Sequence, residues 1–373
     1  MIPRYRRYLP VLVFLLLATP LVAGLSMPES AQEVLNEARN RSPAPPVPRS
    51  MDDLAAWPKL ANDYLNDRFG LRKQMIRLHA NLAKRLLGEG NEQVLVGRRG
   101  RMFYLGAEAV GQSAGLVRRD SRVAETVDFL VAMRDALKRR GIRFLVASPP
   151  NAATIYQDDL PRWARSNGRV TEYDLFVADL AARGIKVIDL RPILWTVRSN
   201  KAPAFALYDT HWTPRAAIAG LNAIVEADGR PEWRIDADAA LAPLSQRQGG
   251  DLARMIGVND DVTEPIQELG LSPVSKVKLT TGAFPVYVAR GDKQGATIMV
   301  LGDSFTSDLF APLLLVHAGQ VIWQHHNDCG FDWTLIDRFK PDEVWYMPTE
   351  RYLLCDPDVR PKGFPNAQQT AAH

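Results

Sequence analysis

Predicted helices and short apolar strands alternate from residue 121 onward. This alternation restricts the possible folds of the chain more than any other feature of the sequence. Apolar residues recur at helical spacing from Val123 to Leu137, Gly141 ends that helix, and the buried strand IRFLVA follows. Three further units repeat the pattern: EYDLFVADLAARG then KVIDL, the strand TIMVL, and DWTLIDRF then EVWYMP. The pattern predicts an α/β fold with a mainly parallel sheet, helices on both faces and ligands at the carboxyl ends of the strands.

One long stretch interrupts this alternation. Residues 228–296 are polar and rich in turn residues, and they contain a predicted hairpin formed by SKVKLTT and FPVYVAR. We interpret them as an insertion in a domain that spans residues 51–355 and is followed by a tail at residues 356–373. The hydrophobic content of 46% is enough for a sizeable core in a chain of 373 residues.

Residues 1–25 form a predicted membrane anchor or signal segment. Three arginines precede the uncharged run YLPVLVFLLLATPLVAGL, which can enter or cross a membrane with its basic end left in the cytoplasm. Its length favours an uncleaved anchor in the inner membrane, with the rest of the chain on the periplasmic side. The small residues Ala23 and Gly24 are also compatible with a cleaved signal peptide, which would release the chain into the periplasm.

A tether and a helical segment follow the apolar run. Residues 26–50 contain SPAPPVPRS, a proline-rich stretch that is expected to be extended and stiff. Residues 51–88 repeat apolar positions at helical intervals and end at Gly88, so they predict a helical lead-in to the domain.

The two cysteines, Cys329 and Cys355, lie near the C-terminus. In an exported protein they are candidates for a disulfide, whereas in a cytosolic protein they would more often be unpaired core residues. Two cysteines at this spacing, without histidines in a matching pattern, do not make a metal site. We predict no bound metal and no cofactor.

Ser304 follows an apolar strand in the segment LGDSFTSDLF. A serine just past a strand and before the predicted helix TSDLFAPLLLV is exposed at the sheet edge, where the N–H groups of the helix N-terminus favour an oxyanion. This position suits a nucleophile. The alternative is that Gly302, Asp303 and Ser304 form only a strand-to-helix turn with a capping side chain.

Asp209 and His211 lie two residues apart in LYDTHWTPRAA. On an extended chain their side chains share one face, within reach of a hydrogen bond between carboxylate and imidazole. The following Thr213 and Pro214 form a helix cap and a first-turn proline, so the helix begins only after His211. The sequence therefore predicts extended geometry for the Asp-Thr-His segment.

These three residues match a catalytic triad in which Ser304 attacks, His211 carries the proton and Asp209 orients the imidazole. The order Asp, His, Ser is no objection, because triads occur in several chain orders. Two alternatives remain open: His211 as a core histidine beside Trp212, and Asp209 with His211 as metal ligands, for which no third ligand is apparent nearby in the sequence.

The charge pattern argues against a nucleic-acid partner. The net charge is only +4, and the arginine-rich stretches near residues 98–101 and 118–143 are interleaved with acidic residues from Asp120 onward. We interpret these stretches as solvated helix faces.

The motifs D-x-H-W-T, G-D-S-F and KPDEVWYMPTERYL together resemble the SGNH-hydrolase-like acetyltransferases that modify bacterial exopolysaccharides, the AlgJ/AlgX type of alginate biosynthesis. The resemblance covers most of residues 50–355 and includes SPPNAATIYQDDLP and GGDLARMIG. It implies an SGNH-hydrolase-like fold with a circularly rearranged motif order. Because the chain ends shortly after ERYL, it is more similar to the single-domain, membrane-tethered members than to those with an appended carbohydrate-binding module.

The resemblance also implies an activity and partners. An export-side enzyme of this type receives acetyl groups from a membrane-bound O-acyltransferase and passes them through the serine to hydroxyl groups of a polysaccharide. It assigns the nucleophile to Ser304, the base to His211 and the orienting acid to Asp209. Asn151, Gly302 and Arg351 become candidates for substrate or oxyanion contacts, although Ala152 replaces the basic residue that many relatives carry after the asparagine.

Two other functions remain open at this point. The same triad would hydrolyse acetyl esters if water instead of a sugar hydroxyl reached the intermediate. A membrane-tethered protein could also bind polysaccharide, or act as a scaffold in a synthase complex, without catalysis. The scaffold explains less, because it has no need for Ser304, His211 and Asp209 in compatible local geometry.

Overall fold

The computed structural model describes residues 14, 45–48, 50, 53–54, 57–61, 92–198, 202–279, 286–291 and 294–365. The chain forms two compact units, Met1–Asn91 with Arg254–Val258, and Glu92–Ala253 with Asn259–His373. In the first unit, residues 57–61 are helical. The predicted membrane segment, most of the tether and most of the helical lead-in lie outside the described residues.

The second unit is built on a six-stranded sheet with the strand order β3-β10-β8-β9-β7-β6. Ten strands occur in the described part of this unit, in chain order β1 Val94–Val96, β2 Met102–Tyr104, β3 Arg143–Val146, β4 Ser245–Gln248, β5 Thr263–Ile266, β6 Lys276–Lys278, β7 Tyr287–Arg290, β8 Thr297–Gly302, β9 Gln320–His325 and β10 Glu343–Met347. The pairs β1-β2 and β4-β5 form two small antiparallel sheets apart from the large one.

The large sheet is mixed. Strands β3, β10, β8 and β9 run parallel to one another, whereas β7 pairs antiparallel with β9 and β6 antiparallel with β7. The prediction of an α/β fold is confirmed, but the antiparallel edge was not predicted. The hairpin predicted inside residues 228–296 is present as β6 and β7, and it extends the central sheet at one edge.

Helices cover both faces of the sheet. The helices are, in chain order, α1 Ala109–Ser113, α2 Asp120–Arg139, α3 Ala152–Ile155, α4 Glu172–Ala182, α5 Arg191–Val197, α6 Pro214–Ala227, α7 Ala237–Ala240, α8 Asp251–Met255, α9 Ser304–Ser307, α10 Phe310–Leu314 and α11 Thr334–Phe339. Alternate residues of β8 point to opposite faces of the sheet, and each face has its own hydrophobic core. Ile298 and Val300 pack in the core that contains α6, whereas Met299 and Leu301 pack in the core that contains α2 and α4. The apolar run TIMVL is therefore buried on both sides, as a central parallel strand requires.

Two predicted elements differ from the structure. The segment KVIDL makes only a single parallel bridge, between Val187 and Val146, and is not a strand of the sheet. The helix predicted after Ser304 is divided into α9 and α10, which meet around Asp308 and Leu309. Asp303 caps the start of α9 by accepting the N–H of Phe305, and α10 begins separately at Phe310.

The C-terminal part of the domain carries one covalent cross-link. Cys329 and Cys355 are joined by a disulfide with a Cα–Cα distance of 5.1 Å. Both cysteines are buried in the core layer that contains α2 and α11. Among the described residues, no helix combines the length and the apolar character that crossing a bilayer requires.

Candidate active site

Ser304 lies at the carboxyl end of β8, where the chain turns into α9. Its side chain is exposed, and its Oγ is 2.9 Å from Nε2 of His211. Gly302 makes the turn possible, because a Cβ atom at that position would lie only 2.1 Å from Oγ1 of Thr306. The sheet therefore presents one hydroxyl group at its edge, in hydrogen-bond contact with an imidazole.

Asp209 holds the other side of the imidazole. Its Oδ1 is 2.7 Å from Nδ1 of His211 and accepts the main-chain N–H of His211 at 3.0 Å. The helix α6 begins only at Pro214, where Thr213 caps it by accepting the N–H of Ala216 at 3.2 Å. As predicted from the cap and the proline, the Asp-Thr-His segment lies outside the helix, and both side chains meet on one side. The segment is bent, however, and not extended as predicted, because Asp209 also accepts the main-chain N–H of His211.

Trp212 ties the histidine segment to the serine turn. Its Nε1 donates to the main-chain oxygen of Phe305 at 3.0 Å, and it forms an isolated antiparallel bridge with Phe205. The ring of His211 also lies 5.1 Å from the ring of Phe305. These contacts hold the histidine segment and the serine turn together, although they lie 93 residues apart in the sequence.

Asp303 organises the turn without facing solvent. Its carboxylate accepts the N–H groups of Phe305 at 2.9 Å and Thr349 at 2.8 Å, while its main-chain oxygen accepts those of Thr306 and Ser307. Burial alone would raise the pKa of Asp303, but the charge of the nearby Arg351 and the hydrogen bond from Thr349 lower it, so the carboxylate is ionised. Asp303 thus joins the serine turn to the segment that follows β10.

The electrostatics favour a charged acid next to a basic imidazole. Burial opposes ionisation of Asp209, but its hydrogen bond to His211 and the charge of the ring lower the pKa of Asp209 well below its usual range. Burial likewise lowers the pKa of His211, and the hydrogen bond and charge of Asp209, with the charge of Asp251, outweigh it and raise that pKa. The arrangement stabilises an imidazolium once the ring takes up a proton.

A cavity of about 420 Å³ opens beside Ser304. Its wall contains aromatic rings, two histidines and one guanidinium, namely those of Tyr287, Trp323, Tyr352, His325, His326 and Arg351. The guanidinium of Arg351 lies 5.0 Å from the ring of Phe305 and 5.2 Å from that of Tyr352. Arg351, predicted as a substrate or oxyanion contact, therefore lines the same cavity as Ser304.

Two adjacent histidines belong to this wall. The rings of His325 and His326 stack with their centres 4.8 Å apart at the end of β9. Burial lowers the pKa of His326 to about 4, so this ring is neutral near pH 7. Tyr287 reaches the cavity from the β6-β7 hairpin, which sequence reasoning had treated only as an insertion.

Asn151 lies in a different, buried network. Its Nδ2 donates to the main-chain oxygen of Ala109 and to Oγ of Ser113, and its main-chain N–H donates to Oε2 of Glu350 at 2.7 Å. Thr154 donates to the same Oε2 at 2.6 Å, and burial raises the pKa of Glu350 to about 7. The structure does not bring Asn151 to the wall of the Ser304 cavity, and its substrate contact stays a prediction.

Asp251 is a second carboxylate at the histidine, and sequence reasoning missed its role. Its Oδ2 is 3.6 Å from Nδ1 of His211. Ligand atoms of Asp209, His211 and Asp251 lie within 4.8 Å of one another, a spacing that a metal ion can bridge. The third ligand that the sequence did not supply is thus present in space. The only sequence signal was the GGDLARMIG segment, which was noted as a family motif.

The sequence model of the family described as "SGNH hydrolase-like domain, acetyltransferase AlgX" matches residues 94–345. The match contains Asp209, His211 and Ser304 and spans more than half of the chain. It also includes all strands of the large sheet from β3 to β9 and most of β10.

Curated relatives from several Pseudomonas species carry the name "Probable alginate O-acetylase AlgJ". The protein of Pseudomonas syringae pv. tomato is 25% identical over 207 residues, which cover 54% of this chain and 50% of the relative. That of Pseudomonas putida is 24% identical over 314 residues, which cover 80% of this chain and 74% of the relative. The chain therefore spans about half the length of the first of these relatives.

The fold also resembles a solved structure, Bacillus cereus PatB1 with a sulfonyl adduct. The TM-score is 0.53 and the sequence identity 13%, and the match covers 72% of this chain and 97% of that chain. At this identity the likeness concerns the fold alone.

Proposed function

This chain belongs to the family of SGNH hydrolase-like acetyltransferase domains, and we propose that it transfers acetyl groups to hydroxyl groups of a polysaccharide through an acetyl-Ser304 intermediate. One observation carries the proposal: Nε2 of His211 is 2.9 Å from Oγ of Ser304, while its Nδ1 is 2.7 Å from Asp209. Both distances are within the range for proton transfer and for orientation of the base.

In the first half-reaction, Oγ of Ser304 attacks the carbonyl carbon of the donor's acetyl ester while Nε2 of His211 takes its proton. Collapse of the tetrahedral intermediate breaks the ester bond of the donor, and the departing alkoxide takes the proton from Nε2. Acetyl-Ser304 and a free alcohol result. The exposure of the Ser304 side chain supports direct access of a donor.

In the second half-reaction, an acceptor hydroxyl loses its proton to Nε2 of His211 as its oxygen attacks acetyl-Ser304. Collapse returns that proton to Oγ of Ser304 and releases the acetylated acceptor. Asp209 keeps Nδ1 protonated and stabilises the imidazolium in both halves. The lowered pKa of Asp209 supports this part, because the carboxylate then stays ionised while the ring is charged.

The oxyanion would be stabilised by groups around the serine turn. Within the described residues, the N–H groups of Phe305, Thr306 and Ser307 already donate to Asp303, so they are not available to it. We assign the main-chain N–H of Ser304 as the first donor. Arg351 supplies positive charge in the same cavity, and Gly302 contributes main chain and space at the turn.

The acceptor and donor follow from the relatives' names and from the cavity. An exopolysaccharide similar to alginate is the proposed acceptor, and aromatic rings such as Tyr287, Trp323 and Tyr352 offer faces on which sugar rings pack. A membrane-bound O-acyltransferase is the proposed donor. We place the domain on the periplasmic side of the inner membrane, either anchored through residues 8–25 or released after cleavage.

Acetylester hydrolysis is the second candidate. The cavity beside Ser304 is open to solvent on one side, and the hydroxyl itself is exposed, so water can approach acetyl-Ser304. The two reactions share the first half and differ in the acceptor of the second. Product analysis with an oligosaccharide acceptor distinguishes them, because transfer yields an acetylated sugar and hydrolysis yields acetate.

The test is intact-protein mass spectrometry of the purified chain after incubation with an activated acetyl ester. We expect an adduct of one acetyl group on Ser304 in the wild type and none on this residue in Ser304→Ala. Ser307→Ala is the matched control, because Oγ of Ser307 contacts the main-chain oxygen of Ser304 and not His211. Absence of both adduct and turnover in folded wild-type protein would favour the scaffold function instead.

A further inference from the structure

Asp251 approaches the Asp-Thr-His segment from a part of the chain that is distant in sequence. Its Oδ1 accepts the main-chain N–H of Thr210 at 2.7 Å, and its Oδ2 accepts the Thr210 hydroxyl at 2.5 Å. In return, the main-chain N–H of Asp251 donates to Oδ2 of Asp209 at 3.3 Å, across 42 residues of sequence. The residue between the triad acid and the base is thus held at two points by one carboxylate.

Two glycines make this approach possible. A Cβ atom on Gly250 would lie 2.2 Å from the main-chain oxygen of Tyr208, and one on Gly249 would lie 2.0 Å from Oδ1 of Asn259. Gly249 also has a φ of +67°, in the left-handed region that glycine favours. A further bond, from the N–H of Ala253 to the oxygen of Tyr208 at 3.1 Å, fixes the same contact. The Gly-Gly-Asp segment is therefore shaped to lie against the residues that precede His211.

Asp251 is placed to act by charge as well as by hydrogen bonding. Its Oδ2 is 3.6 Å from Nδ1 of His211, too far to replace the 2.7 Å contact of Asp209 but close enough for a substantial Coulomb interaction. The charge of Asp251 acts to raise the pKa of His211. The other charged groups that act on the ring are Asp209 and Arg351, and Arg247 acts on Asp209.

We propose that Asp251 is a positioning residue of the triad, which fixes Thr210 so that Asp209 and His211 stay aligned and which adds negative charge at the imidazole. This inference rests on the proposed acetyl transfer for its kinetic consequences. The threonine between Asp209 and His211 suits this role, because its hydroxyl and its N–H both donate to Asp251.

The experiment compares Asp251→Asn and Asp251→Ala with wild type in the full chain. Asparagine keeps an acceptor for Thr210 but removes the charge, whereas alanine removes both. We expect Asp251→Asn to lower kcat about tenfold and Asp251→Ala about 100-fold, with little change in the KM for the acetyl donor. Asp128→Asn is the matched control, because it removes the same charge from an exposed helix residue paired with Arg183.

A second readout follows the pKa of His211 directly, by NMR of ¹³C-labelled histidine with the signal assigned through His211→Gln. Because the charge of Asp251 raises this pKa, Asp251→Asn is expected to lower it, and the acid limb of the rate profile moves to lower pH with it. Asp128→Asn is expected to leave both unchanged.

The two readouts separate failure of this inference from failure of the proposed function. Wild-type acetylation of Ser304, combined with an unshifted His211 pKa and an unchanged kcat in Asp251→Asn, would overturn the role of Asp251 and leave acetyl transfer standing. If wild type forms no acetyl-Ser304 but Asp251→Asn still has a shifted His211 pKa, the placement of Asp251 would be supported and the proposed chemistry refuted.

Discussion

Two polar clusters at the same edge of the sheet have opposite environments. Ser304 follows β8, lines an open cavity, and contacts His211, whose other ring nitrogen is held by Asp209. Glu350 follows β10, and its Oε2 accepts hydrogen bonds from the main chain of Asn151 and the hydroxyl of Thr154 in the interior. Both clusters lie where the carboxyl ends of parallel strands meet. Position at this edge brings polar groups together, and of these two clusters the one at Ser304 opens to solvent.

The pKa values reinforce this contrast. The pKa of Asp209 is lowered because its hydrogen bond to His211 outweighs burial, whereas burial raises the pKa of Glu350 to about 7. One carboxyl group is therefore kept charged beside an imidazole, and the other is about half protonated near pH 7 in a buried network. Four predictions test this comparison, in order of decreasing effect.

The largest effect is expected from Asp209→Asn in the open cluster. An amide at this position cannot keep His211 in the correct tautomer, so kcat should fall about 10⁴-fold. The free energy of unfolding should change far less than the activity. Acetylation kinetics and urea unfolding measure the two quantities, with Asp128→Asn as the exposed control of equal charge change. A loss of stability large enough to explain the lost activity would remove the distinction between the clusters.

Glu350→Ala should have the reverse effect. Without the carboxylate, the hydroxyl of Thr154 and the N–H of Asn151 lose their acceptor in the interior, and the free energy of unfolding should fall by about 1–3 kcal/mol. Ser304 acetylation in the folded protein should fall much less than in Asp209→Asn. Glu125→Ala, at an exposed helix position, is the control. If the activity loss matched that of Asp209→Asn at unchanged stability, Glu350 would belong to the reactive cluster.

The pH dependence of stability should report Glu350 as well. Its pKa of about 7 in the folded protein lies above the ordinary 4.5, so the folded state binds more protons than the unfolded state between these values. The contribution of Glu350 to stability is therefore present at low pH and declines as the pH rises from about 4.5 to about 7. In Glu350→Gln this decline should be absent. Urea unfolding of both proteins across this pH range gives the answer, and parallel curves would contradict the raised pKa.

The smallest effect is expected from metal removal. Asp209, His211 and Asp251 are close enough together to bind an ion. In the proposed mechanism, however, His211 must offer Nε2 to Ser304 and Nδ1–H to Asp209. Dialysis against a chelator should therefore leave acetylation of Ser304 unchanged, with mock-dialysed protein as the control. Loss of activity that returned on adding Zn²⁺ would favour the metal alternative that the sequence left open.

Much of the fold and of the site could be predicted from local patterns. The family resemblance drawn from the D-x-H-W-T, G-D-S-F and ERYL motifs is confirmed by the match over residues 94–345. The parallel strands at 143–146, 297–302 and 343–347 lie where apolar runs predicted them. The weak segment KVIDL was overestimated, because a short apolar run alone does not show whether a neighbouring strand is available for pairing.

The division between sequence and tertiary structure follows the range of the interactions. The sequence by itself determined the strand before Ser304 and the non-helical Asp-Thr-His segment, because a buried strand period and a Thr-Pro helix start act over a few residues. Only the tertiary structure decided that Asp251 would lie against Thr210, that Glu350 would be buried beside Asn151, and that Tyr287 would reach the Ser304 cavity. Those contacts join segments tens to hundreds of residues apart, and their existence depends on strand order and glycine-permitted close approach, which no local periodicity encodes.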